Sequence, residues 1–379
     1  MKIKKALKYL PSFIFILCIF TFMILYFVLP KADHSTQEKR NLSAFPETNA
    51  QTIIDGKFQR ELDTYLSDHI PGRNLFAGIG SFYELLCGQN GSKGIYLGSE
   101  GYLFPKPAEN KENLLKNAVY ISEFAESVDI PVYMTLIPSS GFINSEYLPL
   151  NHEVYNDDKL IRSFGDTLSK KVIFKDVTDD FSANWSSKQL YYKTDHHWTS
   201  TGAYECYKLL SEPMGYTPVD KKDFTKEIIK DFYGTSYSKS ALWTVSPDNI
   251  ELWSNINQPE DSVKVEITDG NDSKTSDSYF FTERLSEDDK YPVFLDGNHS
   301  IVTVTNKAAK GGTLIVVKDS YAHTIVPFLS QNYSKIIMVD LRYYKKDVSA
   351  IAQKENAEAV LVLYSLDNLS ADNNLAYLF

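Results

Sequence analysis

The chain has 379 residues, 43% of them hydrophobic and 13% aromatic with 25 Tyr, enough to bury one large core or two modest ones, which excludes a disordered chain. Setting aside the four lysines of residues 1–30, 35 basic side chains face 49 acidic ones. The body of the protein is therefore acidic, which excludes attraction to nucleic acid or to anionic headgroups.

Ser12 to Leu29 is an uncharged, almost wholly apolar run, long enough to cross roughly 30 Å of hydrocarbon as a helix. Lys2, Lys4, Lys5 and Lys8 precede it, so the positive-inside rule keeps that end in the cytoplasm and exports the rest. A cleavable signal peptide competes, but its apolar region is shorter and ends in small residues. Here the exit is Tyr26-Phe27-Val28-Leu29-Pro30. Residues 1–30 thus read as cytoplasmic tip and transmembrane anchor, 31–45 as a polar juxtamembrane linker, and 46–379 as one extracytoplasmic domain. Outside the anchor only Cys87 and Cys206 are available to pair; they read either as one bridge or as small buried hydrophobes.

Phe58, Leu62, Tyr65, Leu66 and His69 fall at helical spacing up to Pro71-Gly72, and a second helical stretch spans 74–86. Gly94 to Phe104 has the alternation and glycines of a β-hairpin. An α/β rhythm follows. A helical stripe from Leu114 to Val128 precedes the short apolar strand Pro131 to Ile137, and Val172 to Val177 is another strand candidate. Thr199 is placed to cap a helix carrying Ala203, Cys206, Tyr207 and Leu210 inward. Residues 220–290 are polar with brief alternating runs and read as a β-rich insertion or small subdomain. The rhythm resumes with strand 312–317, a helix through Ile325 to Leu329, and strands 336–339 and 359–363. Continuous apolar runs suit a mostly parallel sheet covered on both faces by helices.

Two segments carry chemistry. Asp195-His196-His197-Trp198 puts an acid two residues before a histidine, a spacing at which the carboxylate orients an imidazole for proton abstraction. The competing explanations are a pair of packed structural histidines with Trp198 as a core aromatic, and a metal site; no third strong ligand stands at helical spacing nearby, so no metal is expected. Ser320 follows an apolar strand and opens a helical pattern, where open α/β sheets place reactive groups. A plain N-cap serine explains the same position.

Thr194-Asp195-His196-His197-Trp198-Thr199 resembles the signature of the DHHW protein family. It is similar also to the Asp-x-His-Trp motif of the SGNH hydrolase-like polysaccharide O-acetyltransferases of the alginate (AlgX/AlgJ) type. Glu38 to Pro46, Ser67 to Arg73, the hairpin Gly98 to Phe104, and Lys318 to Tyr321 followed by Pro327-Phe328-Leu329 carry the same resemblance, in order, across most of the exported chain. It implies an SGNH-like (flavodoxin-like) α/β fold in permuted order, with Ser320 as nucleophile, His197 as general base and Asp195 fixing the imidazole tautomer. Lys318 stands where many SGNH serine blocks carry glycine, so the turn is expected to be built differently. The Ser320 N–H is the natural first oxyanion donor; Gly234 and Asn298, both in glycine-containing turns, are candidates for a second. Arg342 is placed to bind an acidic substrate or to make a surface ion pair, and His196 and Trp198 to pack or to touch substrate.

A serine triad transfers acyl groups through a covalent ester: a sugar hydroxyl as acceptor makes an O-acyltransferase, water an esterase. The resemblance and the tether favour an O-acetyltransferase on a cell-envelope polysaccharide, with an O-acetylesterase as the alternative. A non-catalytic glycan-binding or assembly protein is the third reading. No cofactor is expected. A transferase outside the cytoplasm needs an acyl donor, and a membrane O-acyltransferase passing acetyl groups across the bilayer is the partner the resemblance implies.

Overall fold

A computed structural model describes residues 2–108 and 110–379, with side chains from residue 8 onward. It divides the chain into two compact units, one of residues 1–89 with 241–243, the other of 90–240 with 244–379. The division falls at residue 89, and residues 31–45 belong to the smaller unit. Expected as a free linker, they carry the antiparallel pair His34–Ser35 and Arg40–Asn41. Arg40 and the Ser43 N–H both bind the buried Asp68 carboxylate, and Glu38 takes Arg73 at 2.7 Å. The hydrogen bond from Arg40 holds the Asp68 carboxyl well below the usual carboxylate range, against the effect of burial. Charged residues that look like a solvated tether are thus used as clamps on the helices Lys57–Asp68 and Arg73–Leu86.

The first helix spans Lys2–Val28, and its segment Lys8–Val28 is apolar, unburied by protein and about 30 Å long at 1.5 Å per residue. By length and composition it suffices to cross a bilayer.

The larger unit is organised by an eight-stranded sheet, its strands numbered here in chain order: β1 Val132–Ile137, β2 Val172–Phe174, β3 Val263–Asp269, β4 Asp272–Ser276, β5 Ile301–Asn306, β6 Gly311–Lys318, β7 Tyr333–Val339 and β8 Ala359–Ser365. The spatial order is β4-β3-β5-β7-β6-β8-β1-β2. The five strands from β7 to β2 are mutually parallel, while β5, β3 and β4 extend the sheet antiparallel. Successive residues of a strand face opposite sides, and both sides are apolar here. Leu314 and Val316 of β6 join Cys206, Tyr207 and Phe328 on one face; Ile315 and Val317 join Ile121, Phe124 and Phe164 on the other. Helices Ser200–Met214 and Ala322–Leu329 cover the first face, and Lys111–Ser127 and Asp157–Thr167 the second.

Counted from β6, the parallel strands lie in the order 2-1-3-4-5. The insertion at 220–290 is not one subdomain. Phe224–Phe232 pairs with Asp248–Asn255 as a separate ribbon, whereas 263–276 supplies β3 and β4 of the main sheet. The expected hairpin forms between Ile95–Leu97 and Leu103–Pro105. Cys206 is buried in the core and Cys87 is exposed, both as free thiols.

Candidate active site

β6 ends at Lys318, the turn Asp319-Ser320-Tyr321 follows, and the helix Ala322–Leu329 starts immediately after. Ser320 therefore stands beyond the carboxyl end of the first strand in the parallel order, at the crevice where such sheets bind ligands. Asp319 fixes the turn: its Oδ1 accepts the Tyr321 N–H at 2.9 Å, and its Oδ2 accepts the Ser365 N–H, the Ser365 hydroxyl and the Asn368 amide at 2.8, 2.9 and 2.8 Å. The end of β8 and the helix Leu366–Ala371 that follows it thus hold the serine loop after β6.

The histidine arrives from the turn between Tyr191 and Trp198, which are bridged to each other, just before Thr199 caps its helix by accepting the Gly202 N–H. Asp195 both makes this turn and uses it. Its Oδ1 accepts the His197 backbone N–H at 2.9 Å and lies 2.6 Å from His197 Nδ1. His197 Nε2 lies 2.6 Å from Ser320 Oγ across 123 residues of sequence. Burial opposes ionisation of Asp195, but the His197 and His196 rings and the hydrogen bonds from His197 and the Thr235 N–H hold its carboxyl well below the usual range. An ionised Asp195 accepts only, so Nδ1 carries the proton and Nε2 presents its lone pair to the Ser320 hydroxyl.

Two further bonds tie the serine and histidine loops together: the Trp198 indole N–H donates to the Tyr321 carbonyl at 3.0 Å, and the Tyr321 hydroxyl donates to the His196 carbonyl. The Tyr291 ring stacks on His197 at 4.0 Å between centroids and 13° between planes, its hydroxyl 2.9 Å from Thr324 Oγ1. Behind the turn, buried Asp248 accepts the Thr194 N–H and hydroxyl, both at 2.7 Å, and the Lys193 N–H at 3.0 Å.

Several expected substrate or oxyanion groups have other duties. The Gly234 N–H is given to Thr194 Oγ1 at 3.0 Å, and a Cβ there would sit 2.2 Å from the Asp195 Cβ. Gly234 is glycine because Asp195 passes against it, and its N–H does not face the serine's substrate. Arg342 grips Asp340 with Nε and Nη2 at 2.8 and 2.6 Å and donates to Asn298 Oδ1 at 2.9 Å, so these two candidates bind each other. Trp198 is fully buried and packs rather than binds. His196 is half-buried, its Nδ1 2.8 Å from Thr235 Oγ1. Desolvation and the adjacent His197 push its protonation down to about 4. Lys318 is enclosed beneath the turn, 2.9 Å from Asp340 and 2.8 Å from His323 Nε2. A lysine in place of glycine serves here as a buried strut.

Asp195, His196 and His197 each offer a ligand atom within 4.8 Å of the others. Within this group Asp195 Oδ1 and His197 Nδ1 are turned toward each other at 2.6 Å, so a metal ion taking either of these two atoms would displace their hydrogen bond. Sequence reasoning missed Thr235, whose N–H and hydroxyl hold Asp195 Oδ2 at 2.6 and 3.1 Å, as well as Tyr291, Asp248 and the clamp on Asp319. Asp319 was visible as the neighbour of Ser320; nothing local marks the other three.

The chain has relatives. A protein named probable alginate O-acetylase AlgJ, from Pseudomonas fluorescens, is 23% identical over 308 residues, covering 75% of this chain and 74% of its own. The crystal structure of a DHHW family protein from Eubacterium siraeum superposes with a TM-score of 0.65 at 23% identity, over 76% of this chain and 95% of that one. Bacillus cereus PatB1, solved with a sulfonyl adduct, superposes with a TM-score of 0.65 at 21% identity, over 75% and 98% of the two chains. The two structures share the fold. Residues 156–339, which contain both the Asp195 turn and Ser320, match the family described as DHHW protein.

Proposed function

We propose that this protein is a membrane-anchored, extracytoplasmic serine acyl-transfer enzyme of the SGNH type, an O-acetyltransferase acting on a cell-envelope polysaccharide. The observation that carries the proposal is the continuous chain Asp195 Oδ1–His197 Nδ1 at 2.6 Å and His197 Nε2–Ser320 Oγ at 2.6 Å. The relatives named as alginate O-acetylases support the substrate class. The apolar run after four lysines supports the location.

On this reading Ser320 Oγ attacks the acyl carbonyl of the donor while His197 Nε2 takes its proton. Asp195 stabilises the resulting imidazolium, and Tyr291 holds the ring in plane. The negative oxygen of the tetrahedral intermediate is met by the Ser320 N–H at the entrance of the helix Ala322–Leu329. Collapse expels the donor's leaving group with the proton from His197, leaving an ester on Ser320. A sugar hydroxyl, deprotonated by His197, then takes the acyl group and regenerates the serine. Water in that second role makes the same site an acetylesterase, the competing outcome, and a membrane O-acyltransferase is the proposed source of donor.

The test incubates the full chain in detergent with a chromogenic acetyl ester, with and without an oligosaccharide acceptor. Acetylated sugar identifies the transferase, and free acetate alone identifies the esterase. Equal traces for wild type, Ser320→Ala and His197→Ala would exclude both enzymes in favour of a non-catalytic binding protein.

A further inference from the structure

The smaller unit carries an apolar surface that is largely exposed among the described residues. On the helix Arg73–Leu86, Leu75, Phe76, Ile79, Tyr83 and Leu86 are between 47% and 86% exposed. At 100° per residue these five fall within about a 100° arc, the width of an amphipathic face. The opposite face is the packed one: Gly78 and Ser81 are buried, and a Cβ on Gly78 would meet the Trp243 ring at 3.3 Å. The apolar arc thus faces away from that packed side of the helix.

A second observation says what lies there. Phe76 of this arc touches Phe22 of the apolar N-terminal helix, with ring centroids 5.7 Å apart. Phe22 is six residues inside the Val28 end of the span, about 9 Å along the helix axis. A ring touching Phe22 from the side lies below the headgroups whenever the span is in a membrane. The helix has one basic and one acidic residue along its length, so little charge opposes this placement.

We infer that the helix Arg73–Leu86 lies in the acyl-chain boundary of the bilayer, a second attachment beside the anchor, with Leu75, Phe76, Ile79, Tyr83 and Leu86 against lipid. The inference rests on the membrane-anchor part of the proposed function and not on the serine chemistry. Its consequence is that the smaller unit is fixed at the membrane by two helices rather than hung on a flexible tether.

The test places a single bimane label in the full chain, reconstituted in phosphatidylcholine nanodiscs, with Cys18→Ser and Cys87→Ser removing the exposed thiols. Ile79→Cys and Tyr83→Cys probe the arc, and Phe15→Cys probes the anchor. Lipids carrying an acyl-chain nitroxide should quench the labels at 79 and 83 to within about twofold of the label at 15, with little quenching by aqueous iodide. Lipid quenching at 15 together with iodide quenching at 79 and 83 would overturn the inference while leaving the anchor intact. Iodide quenching at all three positions would overturn the anchor itself. Labels at 79 and 83 shielded from both quenchers, in particles holding two or more copies, would overturn it in favour of a second copy on this face.

Discussion

Replacing Asp195 by asparagine exchanges one carboxylate oxygen for an amide, at a side chain whose two oxygens face donors only. Oδ1 faces the His197 N–H and Nδ1 at 2.9 and 2.6 Å; Oδ2 faces the Thr235 N–H and hydroxyl at 2.6 and 3.1 Å. With its NH2 toward Thr235, the asparagine would set donor against donor and leave a buried N–H unpaired, at a cost of about 1–3 kcal/mol. With its NH2 toward His197, Nδ1 must give up its proton and Nε2 must carry it, so the ring meets the Ser320 hydroxyl as a donor. Either way the negative charge that stabilises the imidazolium is lost. The expected result is a fall in kcat of three to four orders of magnitude, about 4–5.5 kcal/mol in the barrier, with KM for a small acetyl ester nearly unchanged. Steady-state acetate release measures this, with thermal unfolding confirming that the variant is folded. A folded Asp195→Asn enzyme within tenfold of wild-type kcat at neutral pH would refute the assignment of Asp195.

Other substitutions probe the supports. Gly234→Ala puts a Cβ 2.2 Å from the Asp195 Cβ, so it should lower stability by about 1–3 kcal/mol and reduce kcat together; an unchanged variant in denaturant titration and activity would show that the turn has slack. Arg342→Ala leaves Asp340 with Lys318 alone and should destabilise the fold without raising KM for an acidic acceptor; a raised KM with unchanged stability would restore Arg342 as a substrate group. His196 supplies a pH signature. Its folded protonation is lowered from 6.5 to about 4, so the unfolded chain binds the proton more tightly. Its stabilising contribution is present above pH 6.5 and is lost as pH falls toward 4. His196→Gln should flatten the fall in unfolding midpoint across that window, and identical slopes for the two proteins would contradict the shift.

The layered α/β core was legible because its signal is local. The apolar runs at 132–137, 312–317 and 359–363 became β1, β6 and β8, and the helical stripes from 114 and from 203 became covering helices. Ser320 and His197 could be singled out, since one follows a strand and the other follows an acid by two. What stayed hidden depends on distant partners. Val263–Ser276 reads as part of a separate β-rich insertion until β5 offers it an edge to pair with. Glu38 and Arg40 look like a solvated linker until Arg73 and Asp68 bind them. Gly234 looks like a turn-maker, and only the passage of Asp195 against it explains the missing side chain. Asn298 and Arg342 each looked available to substrate because neither sequence position reveals the other.

The central claim is that Ser320 carries the acyl group, and tandem mass spectrometry of the full chain quenched in acid during turnover of an acetyl ester tests it most directly. The account predicts an acetyl group on Ser320 in the wild type, its accumulation when the acceptor sugar is omitted, and its absence in Ser320→Ala and His197→Ala. Turnover with no acetyl on Ser320, or with the acetyl on another residue whose replacement abolishes activity, would contradict it.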